Sequence, residues 1–125
     1  MRRVVVDAGA VLAWFDPESP HRALRSEYEA GALSVIAPSD LVASAMGQLA
    51  RRTGWPEERL ARIGGEISRL GFQLQAPPLQ DLAHWLGKGL GPSSAACAAL
   101  ADRLDAPLVT DDPDLRRVAP GLLQS

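Results

Sequence analysis

A three-layer α/β/α fold around a central, mostly parallel sheet is predicted by three features of the sequence. Short apolar runs of strand character, Val4 to Val6 and Leu33 to Ala37, alternate with longer stretches of helical periodicity. Ten prolines and eleven glycines mark the joins, and no repeat or low-complexity tract is visible. Two apolar runs, VVVD and PLVTDD, end in aspartate, which puts carboxylates at the strand ends where parallel sheets bind ligands.

The length of 125 residues suits one domain, residues 1–125, with a single core. With 46% hydrophobic and 22% charged residues the composition is that of a globular protein rather than a disordered one. A net charge of −2 argues against a chain-wide electrostatic grip on nucleic acid, although Arg51, Arg52, Arg59 and Arg62 can form a local basic face for phosphates. The lone cysteine, Cys97, leaves no intrachain disulfide and no thiolate metal cluster, and reads as a small buried apolar residue. The apolar run before Asp7 is too short for a signal-peptide core or a membrane span, so a cytoplasmic protein with no membrane partner is expected.

In chain order, the first strand is Val4 to Val6 and a helix follows from Ala8 to Phe15, with Val11, Leu12 and Phe15 on its buried face. Ser19-Pro20 reads as an N-cap and first helical residue for a helix from His21 to Ala30, ended by Gly31. Leu33 to Ala37 is the second strand, and Pro38-Ser39-Asp40 opens a helix to Arg52. After Thr53-Gly54, Pro56-Glu57-Glu58 starts a helix to about Leu70, its acids suited to the positive end of the helix dipole and its middle weakened by Gly64-Gly65. Phe72 to Gln75 alternates as a strand, Leu79 to Leu86 is a short helix, Pro92 to Leu104 a long Ala-rich one, and Pro107 to Thr110 the last strand.

Asp7 and Asp112, at ends of strands that can lie side by side, would repel unless a cation or proton sits between them, which points to an oxygen-ligand site for Mg2+ or Mn2+. The competing reading is that Asp7 caps the helix after it while Asp112 caps the turn at Pro113. Spacing alone leaves both open.

These stretches resemble the PIN-domain ribonucleases, in particular the small VapC-type toxins of toxin–antitoxin pairs. VVVDAGAVLAWF is similar to their first strand and helix, APSDLVASAMGQLARR to their second strand and helix, and SSAACAALADRLDAPLVTDD to their closing helix and strand. The last stretch is the most specific, an Ala-rich helix, a proline loop and an apolar strand running into Thr110-Asp111-Asp112. The resemblance implies a site in which four acids hold one or two Mg2+ or Mn2+ ions that activate water for RNA cleavage. It also implies a homodimer and a small antitoxin protein whose tail occupies the acidic groove.

Carried over by position, the first acid is Asp7 and the last Asp112, which become the catalytic and metal-binding candidates. The family's glutamate falls on Ser44, its third aspartate on Ser94, and a frequent small hydroxyl residue on Gly9. A serine hydroxyl is a neutral, weak ligand for a hard cation, so metal binding is expected to be weak or absent and cleavage strongly reduced. Losing one transition-state contact in a preorganised site already costs roughly 10²–10³ in rate.

Three acids are candidates to compensate. Asp40 lies one helical turn before Ser44, Asp114 lies across the Pro113 turn, and Asp111 adjoins Asp112 but should point away from it. Each also has a local reading: Asp40 and Asp114 suit helix N-termini, and Asp111 can be solvated. Ser44 and Ser94 read as small residues left where acids became unnecessary, or as hydroxyl donors to phosphate. No histidine falls in these motifs, so a nucleophilic serine is not expected, and His21 and His84 read as surface or packing residues. Trp14, Trp55 and Trp85 read as core or interface anchors before base-stacking platforms. Two functions from different classes follow: a degenerate PIN domain with little or no nuclease activity, kept to bind RNA or a protein, or an active Mg2+/Mn2+-dependent endoribonuclease that uses Asp7, Asp112 and substitute acids.

Overall fold

The structure is a computed structural model, and residues 1–124 are described. Its elements are β1 (Arg2–Val6), α1 (Ala8–Ala13), α2 (Arg22–Glu29), β2 (Leu33–Pro38), α3 (Leu41–Thr53), α4 (Glu57–Ser68), β3 (Gln73–Gln75), α5 (Leu79–Gly87), α6 (Pro92–Leu104), β4 (Leu108–Val109) and α7 (Pro113–Val118), with a 3-10 turn at Pro120–Leu122. The four strands run parallel in the order β3-β2-β1-β4. From β1 the chain steps outward to β2 and β3, then crosses to the far side of β1 as β4. The direction of winding therefore reverses between β1 and β4, and a reversal of this kind opens a crevice at the carboxyl ends of those two strands.

Alternation along β1 makes the layers. Val4 and Val6 face a core shared with Trp14, Leu41, Ala45 and Ile67, while Val5 faces a second core with Ile36, Leu100, Leu108 and Leu115. A strand buried on both faces has to be apolar throughout, which is why VVV carries no polar residue before Asp7. Helix α6 is buried from Ala95 to Ala101, and its small side chains let it lie close against the sheet. Trp14 is fully buried with Phe72 (5.2 Å, edge-on) and Tyr28 (5.9 Å), and Trp85 lies in the opposite core, so both anchor cores as expected.

The elements depart from sequence expectation chiefly at their ends. Helix α1 stops at Ala13, and β4 keeps only Leu108–Val109 in the ladder, with Pro107 contributing a carbonyl to Val5 N–H at 2.9 Å. Ser19-Pro20 does not start α2. The Ser19 hydroxyl accepts the His21 N–H at 3.1 Å to form a turn, His21 is the N-cap, and the helix begins at Arg22. Phe72 precedes β3, which is an edge strand with Leu74 47% exposed, so its alternation does not deliver Leu74 to a core.

Gly64-Gly65, which the sequence presents as a weak point in α4, are two different positions. A Cβ at Gly64 would come within 2.6 Å of Met46 Sδ where α3 packs on α4, whereas one at Gly65 meets only the end of Arg69 at 3.2 Å. Gly65→Ala is expected to stabilise the protein by about 0.5–1 kcal/mol through helix propensity. Gly64→Ala is expected to destabilise it, because overpacking costs about 1–3 kcal/mol and outweighs that gain. Urea denaturation of the two variants checks this, and equal shifts in one direction would contradict it.

Candidate functional site

The crevice between the ends of β1 and β4 is a groove of about 660 Å³, with Asp7, Asp40, Ser44, Ser93, Ser94 and Asp112 among its lining residues. Register explains the first contact. Val6 pairs with Val109, so one residue further on Asp7 stands opposite Thr110 rather than opposite another acid. The Thr110 hydroxyl donates to Asp7 Oδ2, and its Oγ1 accepts the Asp112 N–H at 2.9 Å. Thr110 is 3% exposed, a buried polar residue whose hydroxyl is satisfied in both directions.

Asp7 is also the N-cap of α1, its Oδ1 accepting Ala10 N–H at 2.8 Å. Asp112 is the N-cap of α7, its Oδ1 accepting Asp114 N–H at 2.9 Å, and its Oδ2 takes the Ser94 hydroxyl proton at 2.8 Å. The capping reading of both aspartates is therefore realised in the same geometry that brings them to one groove. Burial pushes the Asp7 carboxyl above the ordinary aspartate value; the hydrogen bonds from Thr110 and Ala10 oppose that rise, and the charges of Asp112 and Asp111 add to it. Cys97 also lines the groove and is buried, and loss of hydration pushes its thiol well above the usual range.

The remaining predicted acids separate. Asp40 lines the groove but makes no side-chain cap to α3; its carboxylate instead accepts the Ser93 hydroxyl at 2.8 Å. Asp111 sits at the rim, exposed, turned to His21 Nε2 (2.8 Å) and Arg116 (3.4 Å), and so away from Asp112 as expected. Asp114 corrects its expectation, since its carboxylate pairs with Arg117 at 3.2 Å and is not among the lining groups. What crosses the Pro113 turn to Asp112 is the Asp114 backbone N–H, not its side chain. Ser44 and Gly9 both line the groove, on α3 and α1.

Sequence reasoning missed His21, which is not an independent surface residue but the partner of Asp111. The two are 90 positions apart and no local signal links them. Ser93 was also passed over, although its pairing with Asp40 repeats that of Ser94 with Asp112. At the groove's other end Arg52 and Trp55 are lining residues, and the Arg59 guanidinium stacks 3.7 Å from the Trp55 ring centre. Trp55 is thus a half-buried wall residue rather than a core anchor.

A hard divalent cation needs several oxygen ligands converging on one point. Among the described residues no group of three or more His, Cys, Asp or Glu side chains does so, and the donor set at the strand ends, two carboxylates each answered by a hydroxyl, does not fit such an ion. Among the described residues no helix is long and apolar enough to cross a membrane.

No curated protein matches the chain. Among solved structures, the crystal structure of PAE2754 from Pyrobaculum aerophilum is similar over 98% of this chain and 90% of that one, with a TM-score of 0.69 and 21% identity, a likeness of fold. The PIN domain model matches residues 4–120, which include both strand-end aspartates, both serines, most of β1 and the other three strands, and the chain accordingly belongs to the PIN domain family.

Proposed function

We propose that this chain is a PIN-domain binding module with little or no nuclease activity, related by descent to metal-dependent ribonucleases of the toxin type. One observation carries the reading: Asp7 and Asp112 meet neutral hydroxyls at the strand ends, those of Thr110 and Ser94, where further carboxylates would be needed to hold a divalent ion. Two divalent ions bring a charge of about four, and two carboxylates answer half of it. Ser44 and Ser94, at the positions of the family's other acids, add no charge. The groove keeps the means to hold a ligand. Its lining residues Arg52 and Trp55, the latter backed by the Arg59 guanidinium, offer a cation and an aromatic ring to a single RNA strand. A homodimer suits the family, and a small antitoxin partner is required only if the chain cuts RNA.

A second reading has one observation in its favour. Asp40 and Asp111 line the same groove as Asp7 and Asp112, so a ribonuclease with a rearranged acidic site would have carboxylates within its walls. Against it, Asp40 is bonded to Ser93 and Asp111 to His21, and recruiting either would break those bonds.

Calorimetric titration with Mn2+ and an RNA-cleavage assay separate the two. The natural chain is expected to show neither Mn2+ uptake nor metal-dependent cleavage above the level of Asp7→Asn, while retaining RNA in a gel shift with chelator present. Ser44→Glu combined with Ser94→Asp is expected to gain Mn2+ binding, because it restores the missing charge on groove-lining positions. Cleavage by the natural chain that disappears in Asp7→Asn would establish the second reading instead.

The electrostatics of Asp7 give a further expectation. Its folded value lies above 3.8, so between those two values the folded state holds more proton than the unfolded chain, and stability falls as pH rises through the folded value. Asp7→Asn, which keeps an acceptor for Ala10 N–H, is expected to be more stable than the natural chain near neutral pH. The advantage should disappear in acid below the unfolded value, where Asp7 is protonated in both states. Denaturation midpoints measured across pH for both proteins test this, and an advantage that grows toward acid would contradict it.

A further inference from the structure

Two groove carboxylates, Asp40 and Asp112, are bonded by hydroxyls from one place, the first turn of α6. That helix begins at Pro92, and its next two residues, Ser93 and Ser94, donate to Asp40 and Asp112 at 2.8 Å each. The amino end of a 13-residue helix carries partial positive charge from its unpaired N–H groups, so these acids face a favourable field as well as a proton. At Asp112 the arrangement is complete: Oδ1 has the Asp114 N–H and Oδ2 the Ser94 hydroxyl. Asp7 is answered in the same way by Ala10 N–H and Thr110. Thr110 Oγ1 also accepts from Asp112 N–H, so this one hydroxyl is bonded to both strand-end aspartates. Each of the four carboxylate oxygens at the strand ends thus receives a donor from the chain itself.

We propose that Ser94 is a positioning residue that stands where a cation would act: its hydroxyl proton holds Asp112 Oδ2 and keeps the carboxylate pair ordered with no metal bound. This rests on the reading above that the groove has no resident ion. An aspartate at position 94 would place a third negative charge beside Asp112 and would need a cation to relieve the repulsion. A serine supplies a donor in place of that charge and removes the need. The serine is then part of how this domain holds its groove together, and not a residue left neutral after its acid was lost. The hydrogen bond leaves the second lone pair of Asp112 Oδ2 free, and the serine brings no ligand charge to draw an ion to it.

Melting temperatures of the full chain, measured in chelator and then in millimolar Mn2+, test the role. The natural protein is expected to melt at the same temperature in both. Ser94→Ala is expected to melt roughly 4–8 °C lower in chelator, as one charge-assisted bond is lost, and to recover most of that in millimolar Mn2+, because the cation can then take the place of the lost donor beside Asp112. Ser94→Thr, which keeps the hydroxyl, is expected to behave as the natural chain. Adding Asp7→Asn to Ser94→Ala is expected to abolish the Mn2+ response. Should Ser94→Ala not fold, Ser94→Cys makes the same comparison with a much weaker donor. A Ser94→Ala protein that melts with the natural one, or that melts lower with no response to Mn2+, would overturn the proposal alone and leave Ser94 a packing residue. A natural protein stabilised by Mn2+ in an Asp7-dependent manner would overturn this proposal together with the non-catalytic reading on which it rests.

Discussion

Two carboxylates at the carboxyl ends of neighbouring parallel strands set a charge problem that every other part of this groove answers. The reversal of winding between β1 and β4 brings them there, and burial of Asp7 makes the charge dear in an environment poor in water. Enzymes of this architecture answer such a problem with ions. Here the answers in the structure are hydrogen-bond donors: a threonine at the register position facing Asp7, backbone N–H groups at the starts of α1 and α7, and a serine in the first turn of α6. Donors of this kind satisfy a carboxylate without the six or more oxygen ligands that a hard cation demands.

The elements that supply the donors are held by packing that does not involve the acids. Val4 and Val6 pin α1 and α3 to one face, and Val5, Leu100 and Leu108 pin α6 and β4 to the other. Because α6 presents small residues to the sheet along Ala95 to Ala101, its first turn is brought close over the strand ends, where a serine hydroxyl can reach a carboxylate. The precision at the site is therefore a consequence of rigid elements beneath it, with α6 as the lever that sets where Ser93 and Ser94 stand.

Much of this could be read from residues in order. Pro92–Leu104 is the same helix in sequence and structure, since a proline after glycine starts it and a run of alanines sustains it. The continuous apolar run Val4 to Val6 located the central strand, and the two terminal aspartates located the groove. What stayed hidden depends on long-range register. That Asp7 meets Thr110 follows from Val6 pairing with Val109, a relation between segments 103 positions apart for the bonded residues. His21 against Asp111 is hidden for the same reason, and the start of α2 was misplaced because Ser19 uses its hydroxyl for a turn instead of a helix cap. Leu74 alternates correctly but lies on an edge strand, where one face of the pattern has no core to meet.

The same division between scaffold and site bears on the non-catalytic reading proposed above. A buried acid that coordinates metal is stabilised by the ion, so losing the ion while keeping four acids would leave uncompensated charge at the strand ends. On that reading, neutral serines at positions 44 and 94 keep the charge low, and Ser94 also supplies a bond to Asp112. What the groove would then offer a partner is its shape and the cationic and aromatic side chains of Arg52 and Trp55, groups suited to holding a nucleic-acid strand rather than to activating water.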